Sequence, residues 1–319
     1  MKQIKEKRRI IINDRILLIT MALVLALSVA IVIALETLPY EHIQVDDGTL
    51  YGKLEPVSET LIILVAGSGP TDMDGNSSIL KGQNNSLLQL SRALNQEGYA
   101  TFRYDKRTAG KSRNSFKGQS ISFVDFADDL EAVTESMYQK GYRHIYLAGH
   151  SQGSLLVMMV ANRIPVDGVI SLAGPGETID QTLLRQFSDA YGMDSEQAMT
   201  IKELQAGKQI SLEGDLTLSD KNLTFITNWM KYDPAVEAAR LTVPLLIIQG
   251  ADDSQVRVED AKSLKEAQPE ATLLLVKDMN HLLKQVASPK ENIASYTDPS
   301  FQLHLEIIDT INEFVDYHQ

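Results

Sequence analysis

The sequence predicts an α/β fold, a mostly parallel sheet with helices on both faces, with a helical cap inserted late in the sheet and one transmembrane helix ahead of it. Three observations predict this. From about residue 41 onward, short apolar runs alternate with helical patterns. A hairpin signal opens that alternation. A charge-free run of twenty residues precedes it.

Residues 1–15 carry six Lys or Arg against two acids, and Ile16 to Leu35 then contains no charged side chain. At a rise of about 1.5 Å per residue, that run matches a hydrocarbon core of about 30 Å. No face of it is polar, as a buried helix of an ordinary domain would allow. The basic flank predicts a cytoplasmic tail over 1–15, a transmembrane anchor over 16–35 and everything after Glu36 outside the cytoplasm. The competing expectation is a signal peptide cut near Ser28-Val29-Ala30, which would make the protein secreted. The apolar stretch continues past that site, which favours a retained anchor.

The body then reads in order. His42–Val45 and Thr49–Leu54 flank Asp47-Gly48, a hairpin signal. Apolar runs suited to buried parallel strands follow at Leu61–Ala66, Tyr99–Tyr104, His144–Ala148, Gly168–Leu172, Leu245–Gln249 and Thr272–Val276. Helical patterns lie between them at Leu87–Asn95, Phe123–Tyr138, Ser154–Asn162 and Val258–Ala267, with a last one at Gln302–Tyr317. The alternation breaks once, over about 174–243, where helical pieces (Thr182–Tyr191, Glu196–Leu204) replace any convincing buried strand. A long insertion between core strands is usually functional, and this one reads as a cap over the sheet's carboxyl edge, where open α/β sheets bind ligands.

Composition narrows the function. A net charge of −12 argues against a nucleic-acid partner, which demands clustered Lys and Arg. The absence of cysteine excludes disulfides, thiolate metal sites and a Cys nucleophile, and it suits a chain that crosses a membrane without oxidative folding.

Gly149-His150-Ser151-Gln152-Gly153 carries the first chemical signal. GxSxG alone is weak, but here it directly follows a strand-like run and directly precedes a helical one, the setting in which a serine is lifted onto a sharp turn. The alternative is a Gly-rich turn whose serine merely caps the helix. A serine hydroxyl needs a base within hydrogen-bond reach. Of the six histidines, His42 belongs to the hairpin, His144 to the wrong end of a strand, and His304 and His318 to the terminal helix and tail. His150 adjoins the serine, and in a strained turn its ring points away from the hydroxyl. His281 remains, just past the carboxyl end of the last strand. The imidazole in turn needs a carboxylate. The loop after Leu245–Gln249 offers Asp252 and Asp253, which position alone does not separate.

The order Ser151, Asp, His281, each after a separate strand, resembles the α/β-hydrolase superfamily from about residue 41 to 319. More closely it is similar to bacterial serine aminopeptidase-like and dienelactone hydrolase-like esterases. The likeness rests on Ala66–Asn76, Tyr104-Asp105-Lys106-Arg107, the elbow and Met279-Asn280-His281. It implies an α/β-hydrolase fold. The family's Gly-x-x-Asp-x-x-Val pattern falls on Gly250, Asp253 and Val256 and selects Asp253. By the same likeness Gly67-Ser68-Gly69 stands where relatives carry HG-x-G, with Ala66 in place of the His, and the oxyanion donors are the backbone amides of Ser68 and Gln152. Asp105–Ser112 follows the family's Asp-x-Arg-Gly-x-Gly-x-Ser but has Thr108 at the first Gly.

Asp72, Asp74 and Asn76 have a calcium-loop look, but Ser77 and Gln83 stand where that loop needs Gly and Glu, so a polar loop is expected and no metal or other cofactor. Phe187, Tyr191, Phe225 and Trp229 either line an apolar pocket or pack the cap itself. The expected reaction is hydrolysis of a small-molecule ester through an acyl-enzyme. The alternatives are a peptidase or amidase of the same fold, and a catalytically silent, membrane-tethered binding protein.

Overall fold

The opening hairpin turns one residue earlier than its sequence signal. In the computed structural model, which describes residues 39–118, 120–208 and 220–319, β1 (Glu41–Val45) and β2 (Gly48–Glu55) pair antiparallel with Val45 opposite Gly48. Asp46-Asp47 therefore forms the two-residue loop. Gly48 has a packing reason instead, because a Cβ there would meet the Phe116 ring at 2.8 Å.

Six further strands follow: β3 (Thr60–Val65), β4 (Ala100–Tyr104), β5 (His144–His150), β6 (Gly168–Leu172), β7 (Leu245–Gly250) and β8 (Thr272–Val276). The sheet order is β1-β2-β4-β3-β5-β6-β7-β8. β2 runs antiparallel to β4, and every pairing from β4 to β8 is parallel. All residues of β3, β4, β6 and β7 are buried, and most are apolar, while Thr101 and Arg103 of β4 are polar side chains taken into the interior.

The two-residue period of a strand divides β3 between two cores. Leu61, Ile63 and Val65 face α2 (Phe123–Gln139) and α3 (Gln152–Ala161) with Phe126, Leu130, Leu155 and Val157. Ile62 and Leu64 join the other core with Leu87 and Leu90 of α1 (Ser86–Gln96) and Ile307 and Ile311 of α10 (Glu306–His318). α10 begins four residues later than expected. Leu303 is instead drawn into a bridge with Lys284, and the Gln285 amide donates to the Gln302 carbonyl at 3.0 Å.

Between β6 and β7 lie α4 (Ile179–Tyr191), α5 (Glu196–Gln205), α6 (Asp220–Trp229) and α7 (Pro234–Ala239), with no strand among the described residues. The aromatic side chains of α6 go into packing. Trp229 stacks on Phe123 of α2 at 4.9 Å, and Phe225 lies 5.4 Å from Phe126. Trp229 is buried in these contacts and Phe225 partly so, whereas Tyr191 is exposed. α8 (Val258–Ala267) lies between β7 and β8, and α9 (Pro289–Ser295) between β8 and α10.

The expectation of a transmembrane helix requires correction. Among the described residues no helix is long and apolar enough to cross a membrane. The longest, α2, has 17 residues and carries five acids, where a span needs about 20 apolar residues. The run Ile16–Leu35 and the basic segment 1–15 lie outside the described residues. The described residues form the mostly parallel sheet with its helices, and among them nothing supports a membrane anchor or an extracytoplasmic placement.

Candidate active site

β5 ends at His150 and α3 begins at Gln152, so Ser151 alone makes the turn. It does so at φ 53°, ψ −118°, a conformation that costs a non-glycine residue about 1–3 kcal/mol. Two close approaches hold it there. A Cβ on Gly149 would lie 2.1 Å from the Gly153 carbonyl oxygen, and one on Gly153 would lie 2.4 Å from that of Val65. Both glycines of GxSxG are needed so that helix and strand can touch at this point. The Ser151 side chain makes no capping bond to α3, so the hydroxyl is not spent on the helix. It sits at the carboxyl end of β5, half-buried.

Past the carboxyl ends of β7 and β8, two loops meet. A Cβ on Gly250 would lie 2.1 Å from the Met279 carbonyl oxygen, so glycine permits the contact. Asp253 and His281 are both buried, and His281 Nδ1 lies 2.8 Å from Asp253 Oδ2. The Gln249 amide donates to the same oxygen at 3.0 Å, while the backbone amides of Gln255 and Val256 donate to Oδ1 at 2.7 and 2.9 Å. Burial pushes this carboxyl up, but the charge and hydrogen bond of His281, with the two amides, outweigh it and hold Asp253 below the usual carboxylate range. When the ring is neutral, an Nδ1–H that donates to this carboxylate leaves Nε2 as the acceptor. Asp252 faces solvent and bonds through its backbone: its N–H donates to the Met279 carbonyl and its carbonyl accepts from Asn292 Nδ2, both at 3.0 Å. The two aspartates that position could not separate are thus separated by burial.

Asn280 fixes the histidine loop from below. Its Oδ1 accepts from the amides of Leu282 and Lys284, and its Nδ2 donates to Ser295 Oγ at 2.8 Å. The other histidines lie elsewhere, apart from His150. His42 rests on Tyr51, His144 pairs with Asp167 at 3.1 Å, and His318 packs on Phe314.

The loop after β3 runs against the elbow. A Cβ on Gly67 would come within 3.2 Å of Ser151 Cβ and 3.1 Å of His150 Nδ1. Ser68 follows at once in the chain. Gln152 stands at the first position of α3, where backbone N–H groups have no partner within the helix.

Sequence reasoning missed three contributors. His150 does not serve the hydroxyl, but its buried Nε2 donates to the His281 carbonyl at 2.7 Å. Gln249 looked like the last residue of a strand. Lys106 looked structural, yet its Nζ donates to the Gly67 carbonyl and, at 2.9 Å, to Gln152 Oε1. The signal available for Lys106 was a lysine two residues past an entirely buried strand.

The polar loop at 72–76 is bonded internally and to the segments beside it. Asp72 accepts from the amides of Asp74 and Asn76, and Asn76 accepts from those of Asn84 and Asn85. Among the described residues, no group of three or more His, Cys, Asp or Glu side chains is placed to hold a metal ion.

The chain has the α/β-hydrolase fold, and the class of protein it resembles is the α/β-hydrolase superfamily. Residues 83–212 match the family model of serine aminopeptidase, S33. Esterase EstD of Thermotoga maritima is 30% identical over 227 residues, which is 70% of this chain and 54% of that protein. The chain thus spans about half the length of that curated relative. Among solved structures, Est1E of Butyrivibrio proteoclasticus with bound ferulic acid has a TM-score of 0.57 at 21% identity, covering 87% of this chain and 98% of that one. The Pyrococcus furiosus esterase Pf2001 has a TM-score of 0.59 at 16% identity, covering 88% and 92%.

Proposed function

We propose that the protein is a serine hydrolase that cleaves carboxylic esters of small molecules by two-step acyl transfer. The observation that carries this reading is the 2.8 Å hydrogen bond between buried Asp253 and His281, on the sheet edge where Ser151 stands in its strained turn. Fixed in the tautomer with Nε2 unprotonated, His281 takes the Ser151 proton as Oγ attacks the ester carbon. The carbonyl oxygen becomes an oxyanion facing the amides of Ser68 and Gln152, which offset its charge. His281 then gives the proton to the departing alkoxide. Water, deprotonated by the same ring, clears the acyl-enzyme. The named activity of EstD supports an ester as substrate.

The match to the serine aminopeptidase model favours a second reading, cleavage of an amide by the same residues. A panel of p-nitrophenyl esters and aminoacyl-anilides, assayed with the full chain and with Ser151→Ala, separates the two. Ester turnover abolished in the variant is the expected result. Turnover of anilides alone would favour the second reading, and ester turnover unchanged in the variant would refute both.

A further inference from the structure

Lys106 follows β4 by two residues, is 1% exposed, and points across the carboxyl end of β3 to the elbow. Its ammonium group meets two carbonyl oxygens and an aromatic face. It donates to Gly67 O and to Gln152 Oε1, and it lies 5.1 Å from the centre of the Phe126 ring. The first of these partners belongs to the peptide that joins Gly67 to Ser68. A peptide unit is planar, so an anchored C=O sets the direction of the N–H on its other side. A cation on the oxygen also polarises the unit and strengthens the N–H as a donor. The second partner is the side chain of Gln152, whose own backbone N–H is the other expected donor. One ammonium group thus holds both.

The charge balance is unusual. The two neighbouring cations have carboxylates: Arg103 pairs with Glu55 and Asp74, and Arg107 grips Asp129 through two bonds of 2.6 and 2.7 Å. Lys106 forms no ion pair with a carboxylate among the described residues. Burial pushes its pKa down to about 7. A cation buried without an anion destabilises the fold. That cost becomes useful if the missing negative charge appears only during the reaction, on the substrate oxygen.

We infer that Lys106 is a positioning residue of the oxyanion hole, aligning the Gly67–Ser68 peptide and Gln152 and placing a positive charge behind the developing oxyanion. This rests on the acyl-transfer reading above. Its mark is selectivity for the tetrahedral state, because the ammonium group has no route to the bound ester except through the two donors.

The test is Lys106→Met in the full chain, with kcat and KM on a p-nitrophenyl ester and the Ki of a trifluoromethyl ketone. Ser151 Oγ adds to the ketone carbon, its proton passes to His281, and the former carbonyl oxygen stays as an oxyanion. The expected result is a kcat lowered tenfold or more, KM within about twofold, and Ki raised by the same factor as kcat falls. Circular dichroism shows whether the variant is folded. If it is not, Gln152→Leu decides, since it removes one partner of Lys106 and keeps the backbone donor. There kcat and inhibitor affinity are expected to fall about threefold or more with KM unchanged. A folded Lys106→Met with kcat and Ki within twofold of the parent overturns the inference, as does an indifferent Gln152→Leu where that variant is the one measured. Ester turnover that survives Ser151→Ala would instead sink the underlying reading, so the two failures are distinguishable.

Discussion

The ring of His150 donates its Nε2 proton to the main-chain carbonyl of His281, 2.7 Å away, so the residue before the elbow serine holds the backbone of the opposite loop. The two rings lie 4.8 Å apart. Burial first, and then the neighbouring His281 ring, push the His150 pKa down to about 3, against the hydrogen bond to the His281 carbonyl and the charge of Asp253, with Lys106 adding to the lowering. Between the ordinary histidine value near 6.5 and about 3, the unfolded chain therefore binds a proton that the folded chain refuses. Stability falls as pH drops through that window, by up to about 1.4 kcal/mol per pH unit from this one group. His150→Gln keeps a donor and removes the titration. Urea midpoints measured from pH 7 to pH 4 are expected to fall less steeply in the variant, and an unchanged slope would contradict the assignment.

Asp253→Asn should leave the loop packed but remove the charge that fixes the His281 tautomer. A loss of about 10³–10⁴ in kcat is expected, from the behaviour of such triads generally. Asp252→Asn, at the exposed neighbour, should stay within about twofold. Steady-state kinetics on one ester checks both, and equal losses would mean that the carboxylate has been misassigned.

Gly153→Ala tests the elbow as a packing device. The added methyl carbon would meet the Val65 carbonyl oxygen at 2.4 Å, and backbone has little freedom to retreat. A loss of about 1–3 kcal/mol is expected from urea denaturation, together with reduced turnover. A variant as stable as the parent would show that helix and strand do not approach so closely.

Much of the fold was readable because its central strands are buried on both faces and so appear as mostly apolar runs. Gly168–Leu172 falls on β6 without adjustment, and Thr272–Val276 falls on β8, an edge strand legible from its composition although only Val276 is buried. Where the reading slipped, a tertiary contact decided the matter. Gly48 signalled a turn but serves the Phe116 ring, and Leu303 looked helical but bridges to Lys284. The placement of Ser151, Asp253 and His281 past three strand ends follows from chain order alone. The functions of Lys106 and His150 do not, since each acts on a backbone carbonyl far away in sequence and leaves no pattern along the chain. The aromatic residues of the cap were ambiguous for a related reason: periodicity places them on a helix without naming their partner.

That partner makes a further expectation accessible. Trp229 is the one tryptophan of the chain, and it stacks on Phe123 within the core that also holds β3 and β5. Its fluorescence should therefore report the unfolding of cap and sheet together, with a denaturation midpoint coincident with that from circular dichroism. Two separated transitions would show that α6 detaches alone. Trp229→Ala is expected to cost about 3–5 kcal/mol.

The most direct measurement is the intact mass of the full chain after exposure to a fluorophosphonate, which captures a serine only where a neighbouring base has activated it. One adduct is expected, located on Ser151 by peptide mapping, absent in Ser151→Ala and formed at least a hundredfold more slowly in His281→Ala. Labelling of Ser151 at the parental rate without His281, or an ester-cleaving chain that takes up no adduct at Ser151, would contradict the account.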